Sequence, residues 1–193
     1  MNRLFVVSVL GAALLLSAFV AVLYRSGGDD RAGSASAPTA AVPEPVAVKP
    51  LPAPSGERVL RIQGVKTGNV SATETAVDFA TLDRAATDKL TILEPFVKRK
   101  MTFSVVPMGE LLQRAGADPA ARKLYMHALD DYHVTFTRDE LASSGAVLAT
   151  RANGARIAIK DGGPIRIILP RSGEVADNTD NWVWSVDRMR ASR

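Results

Sequence analysis

Short stretches in which apolar and polar residues alternate recur through the second part of the chain. Val59–Gln63 alternates and ends at Gly64, whereas Ile165–Leu169 is apolar except for Arg166 and ends at Pro170. Alternation with a period of two is typical of a half-buried strand, and a short apolar run between turn residues favours a strand buried on both faces. The same patterns predict further strands at 90–93, 101–105, 124–129, 132–136, 147–151, 156–159 and 182–189.

Apolar residues at helical spacing are fewer. They predict one short helix over Thr75–Ala86 and a second that begins near Pro107 and ends at Gly116, since proline suits a helix start and glycine a helix end. Thr137 and Glu140 have the spacing of a capping box, which predicts a third short helix or turn. Strands dominate, so the predicted class is α+β, with a mixed, mostly β sheet and short inserted helices.

The N-terminal segment has a different pattern. Leu4–Tyr24 is uncharged and, at about 1.5 Å per residue, is long enough as a helix to span a bilayer core of about 30 Å. Arg3 precedes it, which favours an N-terminus inside the cytoplasm. We prefer an uncleaved single-pass anchor to a cleaved secretion signal, because the run is longer than a typical signal's apolar region. Both interpretations predict an extracytoplasmic domain, periplasmic or at the cell surface, with residues 4–24 contacting the membrane.

The next segment is rich in proline and alanine. It cannot bury enough apolar surface to fold, so we predict an extended linker. The predicted organisation is therefore an anchor or signal at 1–25, a linker at 26–56 and a globular domain at 57–193.

Charge and cysteine content exclude several classes of function. The net charge of +4 is mild, and no concentrated basic stripe predicts nucleic-acid binding. The chain has no cysteine, so it contains neither a disulfide nor a thiolate nucleophile or metal ligand.

Few residues suggest specific chemistry. His127 and His133 flank the predicted Asp130-Asp131 turn, where a metal cluster would be one interpretation and ordinary hairpin residues the preferred one. We predict no metal site and no catalytic residue, since no Ser/His/Asp pattern is present. Lys98-Arg99-Lys100 fits a solvated connection, or else a contact with anionic lipid or an acidic partner.

Several segments together suggest a family. They are Phe103–Leu112 followed by Gly116, then 128–132, 147–149, 153–154, Gly162-Gly163-Pro164 leading into 165–170, and the terminal segment 181–189. In order and spacing they resemble the oxidoreductase molybdopterin-binding domain, the fold of the sulfite oxidase family. The resemblance covers roughly 59–189 and is greatest for the short, exported bacterial members.

This resemblance implies a β-rich mixed fold. In catalytic members the molybdenum is held by the pterin dithiolene and a cysteine thiolate, and that cysteine lies in a longer N-terminal portion of the domain. This sequence has neither. We therefore expect a non-catalytic domain without cofactor that binds a small ligand or a protein partner. The alternatives are a molybdopterin-dependent oxidoreductase with a non-cysteine ligand and a structural partner in a membrane complex. The candidate ligand-binding residues are Asp131, Tyr132, Arg166, Arg171 and Trp182.

Overall fold

Two β-sheets with short helices between their strands form the folded part of the chain. The computed structural model describes residues 48–65 and 74–193. The predicted anchor or signal at 1–25 and most of the predicted linker lie outside the described residues. Within the described residues, no helix is both long enough and apolar enough to cross a bilayer.

The helices and strands alternate along the chain. In order they are β1 (Arg58–Gln63), β2 (Glu74–Asp78), α1 (Phe79–Ala85), β3 (Asp88–Glu94), β4 (Arg99–Pro107), α2 (Met108–Arg114), β5 (Lys123–Ala128), β6 (His133–Thr137), α3 (Arg138–Ser143), β7 (Val147–Ala152), β8 (Ala155–Arg156), β9 (Arg166–Ile168), α4 (Glu174–Asp177) and β10 (Val186–Ser192), with 3-10 turns at Ile159–Asp161 and Thr179–Asn181.

The first sheet joins the two ends of the domain. Its strand order is β2-β1-β10-β5-β6. Strands β1 and β10 run parallel, with Ile62 opposite Met189, while the other neighbours are antiparallel. The last strand of the chain therefore lies in the middle of this sheet.

The second sheet has the order β3-β4-β7-β8, and β9 also pairs with β7. It is buried on both sides near β9. Ile167 belongs to a large core that contains residues from both sheets, and Ile168 belongs to a smaller core with Phe103, Val105 and Ala149. Burial on both faces explains why this segment shows an apolar run rather than alternation.

The predicted fold class is confirmed. The capping box is present: the Thr137 side chain accepts from the Glu140 amide, and the Glu140 carboxylate accepts from the Thr137 amide. Most predicted strands are also present, with bounds that differ by a few residues.

Three element predictions were wrong in part. The helix predicted over 75–86 is a strand up to Asp78, because β2 pairs with β1, and only Phe79–Ala85 is helical. The strand predicted at 156–159 is just two residues long and gives way to a 3-10 turn. The last strand begins at Val186 rather than Trp182, since the backbone from Asn181 to Trp182 still belongs to a turn.

Candidate functional site

The Gly162-Gly163-Pro164 segment forms a turn in which no larger residue would fit at either glycine position. Gly162 has a φ of 85°, and a Cβ there would lie 2.7 Å from the Trp184 ring. A Cβ on Gly163 would overlap the carbonyl group of Ile157. The Gly163–Pro164 peptide bond is cis. The two glycines thus allow the backbone to pass directly beneath an indole ring and lead into β9.

Arg166, the first residue of β9, lies in the interior beside a carboxylate from the other end of the sheet. Its side chain is 4% exposed and its Nη2 donates to Glu94 Oε1 at 2.8 Å, where Glu94 is 1% exposed. The second Glu94 oxygen accepts from the amides of Phe96 and Val97, both at 2.8 Å. Burial lowers the pKa of Arg166, while the hydrogen bond and charge of Glu94 act against that shift. The pair is therefore an internal ion pair that closes the β3–β4 turn.

Aromatic rings surround the Arg166 guanidinium. Its carbon lies 4.7 Å from the centre of the Trp184 ring and 5.8 and 5.9 Å from those of Phe103 and Phe96. Phe96 also packs edge-on against Trp184, with 4.8 Å between ring centres. Such contacts stabilise a cation whose hydration has been lost. We call Glu94, Phe96, Arg166 and Trp184 the arginine centre.

Two hydrogen-bond donors of the arginine centre are unused. Arg166 Nε and Trp184 Nε1 are buried and have no partner among the described residues. An unpaired buried N–H costs free energy, so the centre has capacity for an acceptor such as a water oxygen or a ligand oxygen.

The five sequence-predicted site residues do not converge on one cleft. Arg166 is at the arginine centre, and Trp182 lies next to it, with its ring centre 6.3 Å from that of Phe96 and its Nε1 donating to the Ala176 carbonyl. Arg171 makes its contacts elsewhere, beside Gly145 and with the Ala142 carbonyl at the end of α3.

Tyr132 and Asp131 lie at the β5–β6 turn. The Tyr132 hydroxyl donates to the Asp180 carbonyl at 2.9 Å, and burial, followed by the Asp180 charge, raises the pKa of Tyr132. Asp131 has a φ of 66°, as expected of an aspartate in a tight turn. Its carboxylate lies 3.5 Å from His127 Nε2.

The two histidines have separate environments although they are direct cross-strand partners. His127 Nδ1 lies 2.7 Å from Asp187 Oδ1, whereas His133 packs on the Tyr125 ring. Over residues 48–65 and 74–193, no three His, Asp or Glu side chains are grouped as a metal site would require.

Sequence reasoning missed Glu94, Phe96 and Trp184 as parts of one centre. Glu94 falls in the connection between the strands predicted at 90–93 and 101–105, and Trp184 falls within the strand predicted at 182–189. The one available signal was a carboxylate directly before Pro95 at the end of a predicted strand, a position where acidic side chains commonly accept from turn amides.

A groove of about 550 Å³ is lined in part by Pro164, the last residue of the glycine turn. It combines exposed apolar side chains, Leu129 and Ile159, with charged groups of both signs. We call it the Pro164 groove, and none of the five predicted residues lines it. Its lining is Glu57, Arg58, Val59, Leu60, Arg61, Glu74, Phe79, Leu129, Ile159, Pro164, Val186 and Asp187.

The glycine turn, the strand after it and the terminal tryptophan segment are parts of a known domain. The model of the oxidoreductase molybdopterin binding domain matches residues 66–187. The chain belongs to this family. The match covers the arginine centre and every strand from β2 to β9.

The solved structures agree on the fold of this molybdopterin-binding domain. The sulfane dehydrogenase SoxCD from Paracoccus pantotrophus matches with a TM-score of 0.51 and 20% identity, over 69% of this chain and 37% of that chain. The chain therefore spans well under half the length of that relative. No curated protein sequence matches the present chain.

The donor set does not fit the metal centre that the resemblance implies. Catalytic members hold molybdenum through a cysteine thiolate, and this chain has no cysteine. The arginine centre does not offer a free cation for an anionic pterin group either, because Glu94 already neutralises Arg166.

Proposed function

We propose that this protein is an extracytoplasmic binding domain of the molybdopterin-binding fold, held at the membrane by residues 4–24, that does not carry out molybdenum redox catalysis. The buried Glu94–Arg166 pair is the observation that carries the proposal. Arg166 is the buried cation next to the glycine turn, and the protein's own Glu94 carboxylate already occupies the place of an anionic ligand beside it. The absence of cysteine supports it, since no thiolate is available to a metal.

The ligand or partner is proposed to bind in the Pro164 groove. Leu129 and Ile159 are 56% and 62% exposed at its edge, which suits a ligand with an apolar body. Charged side chains of both signs surround these two apolar residues, which suits polar or zwitterionic groups on that ligand. They are Arg58, Arg61, Glu57, Glu74 and Asp187.

The first experiment is an analysis for metal and pterin. The full chain is expressed in a host that makes molybdenum cofactor and is purified in detergent. The purified protein is assayed for molybdenum by mass spectrometry and for oxidised pterin by fluorescence. We expect neither above the level of a cysteine-free protein purified in parallel. Near-stoichiometric molybdenum and pterin would overturn the proposal and favour an oxidoreductase with a non-cysteine ligand, which the family match makes the second candidate.

Ligand binding is tested by thermal unfolding in the presence of metabolites and small anions. A ligand that binds only the folded state raises the unfolding temperature by mass action. We expect the shift to disappear in Ile159→Asp, which introduces a charge at the apolar edge of the groove, and to remain in Val97→Asp, an exposed apolar residue outside it. A shift that survives Ile159→Asp would place the ligand elsewhere, and co-purification with a membrane protein instead would favour the structural-partner alternative.

A further inference from the structure

The turn between β3 and β4 exposes apolar side chains next to consecutive cations. Leu93, Phe96 and Val97 are 64%, 42% and 49% exposed. They account for half of the large exposed hydrophobic side chains in the described part of the chain. Lys98, Arg99 and Lys100 follow directly and are all exposed. We call residues 93–100 the hairpin tip.

The hairpin tip is held rigid from the inside. Glu94 accepts from the amides of Phe96 and Val97, its carbonyl accepts from the Lys98 amide at 2.9 Å, and Arg166 fixes its carboxylate. One edge of Phe96 packs on Trp184, so the ring is fixed while part of it stays in water. Little conformational entropy would thus be lost when this surface binds a partner.

The cations of the hairpin tip have no counter-ion within the part of the chain that the structure describes, which leaves them available to a partner. None of Lys98, Arg99 and Lys100 forms an ion pair with another described residue. Leu93 lies directly opposite Lys100 in the β3–β4 pairing, so an aliphatic side chain and an ammonium group are cross-strand neighbours at an edge strand.

We infer that the hairpin tip docks on an anionic lipid bilayer, with Leu93, Phe96 and Val97 entering the headgroup region and the three cations contacting lipid phosphates. A bilayer interface accepts apolar and aromatic groups and attracts adjacent lysine and arginine. An acidic protein would need an apolar patch beside its carboxylates to match both features, whereas any anionic bilayer interface provides both. This inference goes beyond the proposed function, because it depends neither on the Pro164 groove nor on its ligand.

The absence of cysteine provides the test. Single variants Val97→Cys, in the hairpin tip, and Ala120→Cys, exposed in the connection between α2 and β5, each give one labelling site. The full chain is labelled with an environment-sensitive fluorophore and reconstituted into vesicles of phosphatidylcholine alone or with 30% phosphatidylglycerol. Quenching by lipids that carry a nitroxide on the acyl chain then reports contact with the bilayer.

We expect the Val97 label to shift to shorter wavelength and to be quenched only with phosphatidylglycerol, and the Ala120 label to be unchanged. The substitutions Lys98→Gln, Arg99→Gln and Lys100→Gln together should reduce the Val97 quenching to the level of the Ala120 label. A matched triple variant of exposed cations elsewhere, Arg122→Gln, Lys123→Gln and Lys160→Gln, should leave it intact. Circular dichroism confirms that each variant is folded.

Three results would overturn the inference: a Val97 label equally exposed in both lipids, equal quenching in neutral lipid, or quenching that survives the loss of the three cations. The first of these, combined with capture of the chain by an acidic protein, would identify a protein partner instead. Flotation of the chain with vesicles tests the anchor at residues 4–24, and the Val97 label tests the hairpin tip, so the two failures are distinguishable.

Discussion

Glu94 and Arg166 show how one buried pair organises several surrounding residues. The guanidinium carries charge into a region of apolar and aromatic side chains, and the carboxylate both neutralises it and closes the turn that follows. A charge in such a position is tolerable only while its partner is present. The pair therefore fixes the position of the hairpin tip more than it adds net stability.

Glu94→Gln should destabilise the domain by about 3 kcal/mol, because it leaves the Arg166 cation buried without its counter-ion. The double variant Glu94→Gln with Arg166→Met removes both charges and should recover a large part of that loss. Urea unfolding followed by circular dichroism measures both. Additive losses in the double variant would mean that the two side chains act independently, contrary to the contact seen here.

Gly163 is required for a different reason, namely the space around its backbone. Gly163→Ala would push a methyl group into the Ile157 carbonyl, and we expect a loss of about 2–3 kcal/mol in the free energy of unfolding. Gly109→Ala is the matched control, since nothing lies within 4 Å of its Cβ position and it lies in α2. The control should be neutral or more stable by up to about 1 kcal/mol. Equal effects of the two substitutions would contradict the packing described for the glycine turn.

At the scale of elements, α1 begins at Phe79, four residues later than the sequence pattern predicted. The apolar spacing over 75–86 fits a helix, but Thr75 and Val77 are β-branched and pair across from β1. Asp78 then ends the strand and caps the helix, since its Oδ1 accepts from the Thr81 amide at 2.8 Å. Its Oδ2 accepts from the amides of Ser55 and Gly56, which fastens the chain before β1 to the same point.

The Asp78 cap predicts a pH dependence of stability. Hydrogen bonds from Thr81, and then from the Gly56 and Ser55 amides, hold the pKa of Asp78 well below its usual range. A carboxylate with a depressed pKa in the folded state contributes stability above its unfolded pKa of about 3.9, and this contribution is lost as the pH falls below that value. Asp78→Asn should therefore have a lower melting temperature than the wild type at pH 7. The difference between the two melting temperatures should become smaller as the pH is lowered from 4 to 2. An unchanged difference over that range would show that Asp78 is not the group that titrates.

For the whole molecule, the sequence predicted the class and most strands because alternation and turn residues are local signals. The capping box of Thr137 and Glu140 was predicted correctly for the same reason. The arginine centre was not, because Glu94 and Arg166 lie 72 residues apart and meet only through the pairing of β4 with β7 and of β7 with β9. The predicted cleft combined Asp131, Tyr132 and Arg171 with that centre, whereas in the structure these residues make their contacts in different places. That the domain has no metal, has no cofactor and lies outside the cytoplasm stays a prediction.

The position of β10 also decides whether the first sheet can form at all. It pairs with β1 on one side and with β5 on the other, so without it this sheet would divide into two separate ribbons, β2-β1 and β5-β6. A ribbon of only two strands is marginally stable at best in water. The first sheet is therefore expected to form as a whole or not at all.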